Sequence, residues 1–151
     1  MLVEALQGIL TTDTGMIALL GTPTTRPDST NGVFPVQAPD QPAMPYLVMS
    51  QVAGEPMFVT MQGSSAMATE RWRFSCYGTT YSNAKKFAKY VRHFLIDILP
   101  GNSTVGSIAF SGAYCVMEVD ETEPLGRGTL FSTHVDFNIV YVDNDAPAEP
   151  Q

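Results

Sequence analysis

The chain has 151 residues, of which 44% are hydrophobic and 15% are charged, and this composition predicts a single folded domain rather than a disordered chain. The formal net charge of −7 repels phosphate, which argues against nonspecific DNA binding through the bulk surface. No apolar run reaches the roughly 20 residues that a membrane-spanning helix needs, and the N-terminal stretch MLVEALQGIL carries Glu4 but no basic residue. We therefore expect no signal peptide and no membrane segment, and a protein that is made in the cytosol.

The N-terminal region predicts two short helices followed by a long connection. Apolar residues recur at helical spacing in MLVEALQGIL, and residues 16–20 form a second apolar cluster. Asp13 or Thr14 can cap the second helix and Gly21 can end it, with one broken helix as the alternative. Residues 22–45 contain six prolines, which exclude a regular helix and permit at most an edge strand at GVFPV in a surface loop.

The clearest predicted strand is residues 69–77, in TERWRFSCYG. Its alternation places Trp72, Phe74 and Cys76 on one side and Arg71, Arg73 and Ser75 on the other. We expect the first side to be buried and the second side to be wet and basic. Residues 46–54, 107–119 and 129–142 also predict strands by their β-branched and aromatic content.

A long amphipathic helix is predicted from residue 81 to residue 99. Thr80 or Ser82 can cap its start, and Pro100 with Gly101 ends it. Its apolar residues form one stripe at spacings of three and four, made of Ala84, Phe87, Ala88, Val91, Leu95 and Ile98. Lys85, Lys86, Lys89 and Arg92 lie mostly on the opposite side. This basic helix face is either a solvated surface or a contact for an acidic partner.

The last two predicted strands are joined by an acidic segment. In residues 107–119, Ile108, Phe110, Tyr114 and Val116 alternate with small or polar residues, and Gly112 indicates a bulge or a bend. In residues 129–142, one face carries Phe131, Val135, Phe137, Ile139 and Tyr141, and the other carries Ser132, His134, Asp136 and Asn138. DETEPLGRG between the strands predicts an acidic hairpin loop, and residues 143–151 predict a mobile tail.

These elements predict an α+β fold in a single domain of residues 1–142. We expect a mainly antiparallel sheet of about four strands, with one long helix and the short N-terminal helices packed on one face. The residues expected in the core are Trp72, Phe74, Phe87, Val91, Leu95, Phe137 and Ile139. Cys76 and Cys115 should be buried free thiols, with a disulfide as the alternative, because neither has CxxC spacing or a nearby histidine and the expected compartment is reducing.

No motif predicts a catalytic or cofactor site. GxGxxG, the Walker loop, HExxH and GxSxG do not occur in the sequence. Ser132, His134 and Asp136 share one face of the last strand, so a small hydrolase or ligand-binding domain is an alternative. Polar residues in such a row are nevertheless ordinary on an exposed strand.

The acidic residues Asp120, Glu121 and Glu123 could be imagined as a cation site. No glycine-centred ligand loop accompanies them, which favours a solvated acidic turn. We therefore expect no bound metal and no cofactor.

The segment EPMFVTMQGSSAMA joins two predicted strands and is rich in methionine. Met57, Phe58, Val59 and Met61 fall in what should be an exposed excursion. Soluble monomers seldom expose so much apolar side chain without a partner. The segment is either a protein–protein interface or an extension of the core hairpin.

Three segments resemble, in order and spacing, the tail-completion or tail-terminator proteins of long-tailed bacteriophages. MLVEALQGILTTDTGMIALLG resembles the opening helices of the family, QPAMPYLVMSQVAGEP resembles its loop-to-strand pattern, and RWRFSCYGTTYSNAKKFAKYVRHFL resembles its strand-to-helix signature. The resemblance covers most of residues 1–142. It does not extend to TPTTRPDSTNGVFPVQAPDQ or to DETEPLGRG.

The resemblance implies a structural subunit that assembles into a ring, usually a hexamer, on the last ring of tail tube protein. Such a ring stops tube growth and offers a surface to the head–tail connector or stopper protein, while DNA passes through it without specific binding. The implied location is the tail or neck of the virion, with assembly in the host cytoplasm. The family has no catalytic residues to carry over. Another neck or minor tail protein, such as a head-side stopper or adaptor, is the alternative within the virion.

The charges suggest how such a ring is held together. If subunits alternate in charge around the ring, the basic helix face of one subunit should meet the acidic turn of the next. The candidate interface residues are therefore Met57, Phe58, Val59, Met61, Lys85, Lys89, Arg92, Asp120, Glu121 and Glu123. The remaining negative charge would line the channel and keep DNA from sticking.

Overall fold

The computed structural model describes residues 2–39, 42–56, 67–98, 104–105, 108–125 and 128–143. Its helices are α1 (Leu2–Thr12), α2 (Thr14–Leu20) and α3 (Tyr81–His93), and the π-helical segment Phe94–Ile98 continues α3. Its strands are β1 (Val33–Pro35), β2 (Tyr46–Pro56), β3 (Met67–Gly78), β4 (Thr104–Val105), β5 (Ile108–Leu125) and β6 (Gly128–Asp143). They form one sheet in the order β1-β2-β3-β6-β5-β4, in which β1 is parallel to β2 and the other pairs are antiparallel.

The α+β class is confirmed, but the sheet is mixed and has more strands than predicted. The additional strands, β1 and β4, have three and two residues, which is too short for a hydrophobic period to be visible in the sequence. β1 lies at the edge of the sheet and ends at Pro35. It is the edge strand that the proline-rich connection permits at GVFPV.

α3 is shorter than the predicted helix of residues 81–99. Thr80 caps its start by accepting a hydrogen bond from the main-chain N–H of Asn83, and the α-helical pattern ends at His93. In the π-helical segment that follows, Phe94 is buried beside Leu95, although the spacing of the predicted stripe does not include Phe94. Within the described residues, no helix has both the length and the apolar content to cross a bilayer.

The core is centred where α3 packs on β3 and β6. All of the residues predicted for it are buried, namely Trp72, Phe74, Phe87, Val91, Leu95, Phe137 and Ile139. Phe74 of β3 and Phe137 of β6 meet edge to face, with ring centroids 6.4 Å apart. Full burial of one such side chain contributes roughly 1.5–3 kcal/mol, so removal of a single ring from this layer should be measurable.

α1 and α2 are two separate helices joined at Asp13 and packed into the same core. α1 buries Leu2, Ala5, Leu6, Ile9 and Leu10. Asp13 caps α2 by accepting a hydrogen bond from the Met16 N–H, and the Tyr90 hydroxyl of α3 donates to the same carboxylate at 2.5 Å. Burial of Tyr90, together with this hydrogen bond, raises the pKa of its hydroxyl to about 12. The hydroxyl therefore stays protonated and ties α3 to the start of α2.

The connection between α2 and β2 is anchored by Arg26, a residue that no sequence pattern singles out. The Arg26 side chain is almost fully buried, and its guanidinium donates to the main-chain oxygens of Leu20, Ala43 and Pro45 at 2.5–2.8 Å. It also donates to both carboxylate oxygens of Asp28 at 3.2 Å. The hydrogen bond from Arg26 holds the pKa of Asp28 well below its ordinary value. The described part of this connection is therefore held by buried polar contacts and is more than a plain loop.

β5 departs most from its predicted pattern. The β5–β6 register shifts at Gly112, which confirms the predicted bulge, and shifts again between Cys115 and Met117. Ile108 and Phe110 are buried, whereas Tyr114 and Val116, which belong to the same predicted alternation, are exposed. The alternation does not continue through β5 because each bulge interrupts it and because α3 packs on β3 and β6.

The acidic residues after Val119 belong to β5 and not to a hairpin loop. Asp120 pairs with Thr133, and the ladder continues to the pair of Leu125 with Gly128. The predicted loop DETEPLGRG is therefore mostly strand. Asp, Glu and Pro are disfavoured in strands by propensity, but pairing along the whole of β6 overrides this local preference.

Candidate protein–protein interface

In the part of the chain that the structure describes, β5 forms a long open edge of the sheet. β6 pairs with it from Ile108 to Leu125, whereas β4, on its other side, pairs only with Ile108 and Ala109. From Phe110 onward, no other strand in the described residues lies on the outer side of β5. Proteins usually shield an edge of this length, because its main-chain groups are a template for another chain.

Exposed apolar side chains cluster along this edge. Tyr114, Val116, Met117 and Val119, which we call the β5 patch, are 55%, 42%, 39% and 38% exposed. They are four of the nine large hydrophobic side chains that are exposed in the described residues, and they lie close together in sequence. Such a cluster is typical of a surface that another protein covers.

The two cysteines have different environments. Cys76 is a fully buried free thiol, as expected, and burial raises the pKa of this thiol. Cys115 is also free, but it is exposed between Tyr114 and Val116. The expectation that Cys115 is buried is wrong, because Cys115 lies in β5 next to a bulge, whereas α3 packs on β3 and β6. Cys76 should be chemically inert, and Cys115 is open to solvent.

On the side of the sheet that carries α3, the basic helix face meets the acidic residues of β5 within one chain. Lys85 Nζ lies 3.0 Å from Asp120 Oδ1 and 3.9 Å from Glu118 Oε2, and Arg92 Nη1 lies 3.8 Å from Glu118 Oε2. The hydrogen bond to Asp120 raises the pKa of Lys85. Burial opposes ionisation of Asp120, but hydrogen bonds from Lys85 and Thr133 outweigh burial and lower the Asp120 pKa.

These contacts change the expected arrangement of charge. The basic helix face was expected to meet the acidic segment of a neighbouring subunit, yet Lys85 and Arg92 contact acidic residues of their own chain. Lys86 and Lys89 are exposed, and neither has an ion pair within the described part of the chain. The expectation that Lys85, Lys89, Arg92, Asp120 and Glu121 lie at an interface stays a prediction.

Several candidate interface residues cannot be placed. Met57, Phe58, Val59 and Met61 lie outside the described residues. For Glu123, only its main-chain pairing with Leu130 is described.

The sheet face opposite α3 carries a row of hydrogen-bonded polar side chains. His134 Nδ1 lies 2.7 Å from Ser75 Oγ, and its Nε2 lies 3.1 Å from Glu121 Oε2 and 3.3 Å from Ser132 Oγ. Through these contacts one imidazole links β3, β6 and β5. Cross-strand pairs of this kind stabilise a sheet.

Asp136, two residues from His134 on the same face, is held by two arginines. Its side chain is 1% exposed, and Arg71 and Arg73 donate to it through Nε and Nη2 at 2.8–3.2 Å. Burial opposes ionisation of Asp136, but the hydrogen bonds from Arg73 and Arg71 outweigh burial and lower its pKa. The expected wet, basic side of β3 is therefore a half-buried ion cluster, and Ser75 beside it is buried.

These contacts do not assemble the Ser132, His134 and Asp136 site of the hydrolase alternative, because Asp136 binds arginines and not His134. Ser75 is the hydroxyl nearest to His134, but it lies within β3, whose main chain pairs with β2 and β6. Those main-chain groups are therefore not free to stabilise an oxyanion, which acyl transfer requires. Within the described ranges, no cluster of His, Cys, Asp and Glu side chains is suited to hold a metal ion.

A surface cavity of about 290 Å³ lies between α2, the start of β2 and the N-terminal part of α3. The residues that line this α2–α3 cavity are Leu19, Met44, Pro45, Gly78, Thr79, Asn83, Lys86 and Phe87. At this volume the α2–α3 cavity lies at the lower limit of small-molecule sites, which usually measure roughly 300–1,000 Å³.

Comparison with known proteins gives a fold relationship. No family model matches the sequence, and no curated protein matches it. Among the solved structures, twelve chains match. One of them, from the virion of native gene transfer agent (GTA) particle, matches with a TM-score of 0.62 and 16% sequence identity over 92% of this chain and 92% of that chain. The shared fold therefore extends over nearly the whole of both chains.

Proposed function

We propose that the chain is a structural protein of a phage-type virion and serves as its tail terminator. The observation that carries this proposal is the fold that the chain shares with a chain of the gene transfer agent virion, over 92% of both. The ordered sequence segments that resemble the tail-terminator family support the finer assignment. Both favour a role in assembly over a catalytic role.

In this proposal the protein forms a ring, a hexamer in the family that it resembles, on the last ring of tail tube protein. The ring stops tube growth, and its other face receives the head–tail connector or stopper protein. DNA passes through the ring without specific binding, in keeping with the net charge of −7. A closed ring needs two different complementary surfaces on every subunit, and the β5 patch and the α2–α3 cavity are the two candidates on this subunit.

Deletion of the gene in the genome that produces the particles tests the proposal. We expect electron micrographs to show tails of uncontrolled length and heads without tails, and we expect normal particles when the wild-type gene is supplied in trans. Normal, infectious particles without the protein would overturn the proposal. Tails of normal length that fail to join heads would instead indicate a head-side stopper or adaptor.

A further inference from the structure

We propose that neighbouring subunits bind each other by placing the β5 patch of one subunit in the α2–α3 cavity of the next. This inference rests on the proposed ring and names the two surfaces that close it. Its occupant is a second copy of this chain. The argument uses the apolar character of the two surfaces, their charges and their positions in the sheet.

The β5 patch needs an apolar partner. Met117 and Val119 are 39% and 38% exposed. They pair with Asp136 and His134 of β6, so both side chains lie on the sheet face opposite α3. Burial of such side chains contributes roughly 25 cal/mol per Å² of apolar surface. A contact that covers the patch therefore gains free energy that the isolated subunit does not.

The α2–α3 cavity supplies apolar surface of matching size. Leu19, Met44 and Pro45 contribute side chains to its wall, and Phe87 closes it on the α3 side. Leu19 is itself 36% exposed. The cavity is thus an open apolar recess with room for a side chain such as that of Met117 or Val119.

Charge favours the same pairing. Glu121 follows the β5 patch and its side chain is 56% exposed, whereas Lys86 lines the α2–α3 cavity and Lys89 lies one turn further along α3. Neither lysine has an ion pair within the described ranges. An acidic strand beside a cavity with a basic rim is attractive at long range and suppresses the pairing of two β5 edges, which would bring acidic residues together.

The positions of the surfaces favour a ring over a two-fold dimer. In the sheet, β3 and β6 lie between β2, whose start borders the cavity, and β5. The two surfaces therefore belong to different sides of the subunit, and a contact between them leaves one free copy of each surface. Repetition of such a head-to-tail contact closes a ring when the rotation per step allows it.

Assembly of the purified protein tests the inference. Val119→Glu and Lys86→Glu should each raise the subunit concentration at half-assembly by about tenfold or more, as measured by native mass spectrometry, because each places a buried charge or a like-charge pair in the contact. Val52→Glu is the matched control, since Val52 is a strand valine that is 48% exposed and lies outside both surfaces. It should assemble like the wild type.

A charge swap separates a broken contact from a damaged fold. Glu121→Lys alone should weaken assembly, and Glu121→Lys combined with Lys86→Glu should restore it to within about threefold of wild type. Asp97→Lys reverses the charge of a carboxylate that is 63% exposed and lies outside both surfaces, and it should have no effect on assembly.

Rings that form equally well with Val119→Glu and Lys86→Glu would overturn the inference and leave the proposed function standing. If the purified wild-type chain stays monomeric, the variants are compared in particles, where Val119→Glu and Lys86→Glu should lose tail-length control and Val52→Glu should not; normal tails from the first two variants would overturn the inference.

Discussion

Asp136 is the buried charge on which the polar side of the sheet depends. Replacing Asp136 with Asn keeps its shape but removes the charge that Arg71 and Arg73 bind. We expect the free energy of unfolding to fall by about 1–3 kcal/mol, the usual cost of losing hydrogen bonds to a charged group. Denaturant unfolding at neutral pH measures this. Asp97→Asn, at a carboxylate that is 63% exposed, should change stability by less than about 0.5 kcal/mol.

The contribution of Asp136 should depend on pH in a defined direction. Its folded-state pKa is lowered relative to an unfolded value of about 3.9. The stabilisation is therefore fully present above the unfolded pKa and is lost as pH falls through the folded pKa. The difference in unfolding free energy between wild type and Asp136→Asn should be constant near neutral pH and should shrink below about pH 4. Asp28 and Asp120 also have lowered pKa values, but they are common to both proteins and cancel in the difference. A difference that grows on acidification would contradict this assignment.

Phe87 tests the packing of α3. Its side chain is 2% exposed, so Phe87→Ala leaves a cavity between α3 and the sheet and should cost about 3–5 kcal/mol. We expect most soluble expression to be lost. Lys89→Ala, at an exposed position two residues along the same helix, is the control and should express normally. Equal soluble yields for the two variants would show that packing of Phe87 against the sheet does not stabilise the fold.

Among the elements, those with a long hydrophobic period were predictable from sequence. The stripe of α3 and the alternation of β3 and β6 each extend over many residues, so the buried faces follow from spacing alone. β4 was missed, and β1 was predicted only as a permitted edge strand, because both are too short to show a period. Cys115 was wrongly predicted to be buried, because the bulges of β5 and the position of α3 are properties of the assembled sheet. For the candidate interface, the clustering of the β5 patch likewise follows from the sheet order and not from any motif.

The connection before β2 depends on Arg26 in a way that only long-range contacts reveal. In Arg26→Met, the main-chain oxygens that Arg26 binds lose their donor and Asp28 loses its partner, so we expect a loss of about 3–5 kcal/mol, as for a broken buried ion pair. Hydrogen exchange should accelerate at the Leu47 N–H, which donates a hydrogen bond to the main-chain oxygen of Gly32.

Gly32 lies so close to Arg26 that a Cβ added at Gly32 would lie 2.7 Å from Nη1 of Arg26. Gly32→Ala should therefore show the same local effect, whereas Gly8→Ala, at a site with free space, should not. Unchanged exchange at Leu47 in Arg26→Met would contradict the anchoring role.

For the molecule as a whole, the segment between β2 and β3 is predicted to act in assembly and not in folding. The β2–β3 ladder ends at the pair of Pro56 with Ala68, so deletion of residues 62–66 together with Phe58→Ser changes the chain beyond the ladder. We expect unchanged thermal stability, with tails that lose length control or fail to join heads. Phe58→Leu with the full-length segment is the control and should give normal particles. Normal infectious particles from the deletion variant would contradict the assembly role and favour the alternative, in which this segment extends the core hairpin.

The irregularity of β5 limits how copies of the chain can associate. If β5 were straight and regularly paired with β6, its open outer side would recruit further copies strand by strand and grow into fibres. The register shifts at Gly112 and at Cys115/Met117, followed by Pro124, deny a second β5 the continuous ladder that such growth needs. The bulges thus act as a safeguard: they disfavour open-ended growth from strand to strand and leave a contact made through side chains unaffected. A variant with a straightened β5 should form thioflavin-positive aggregates at concentrations where the wild type stays clear.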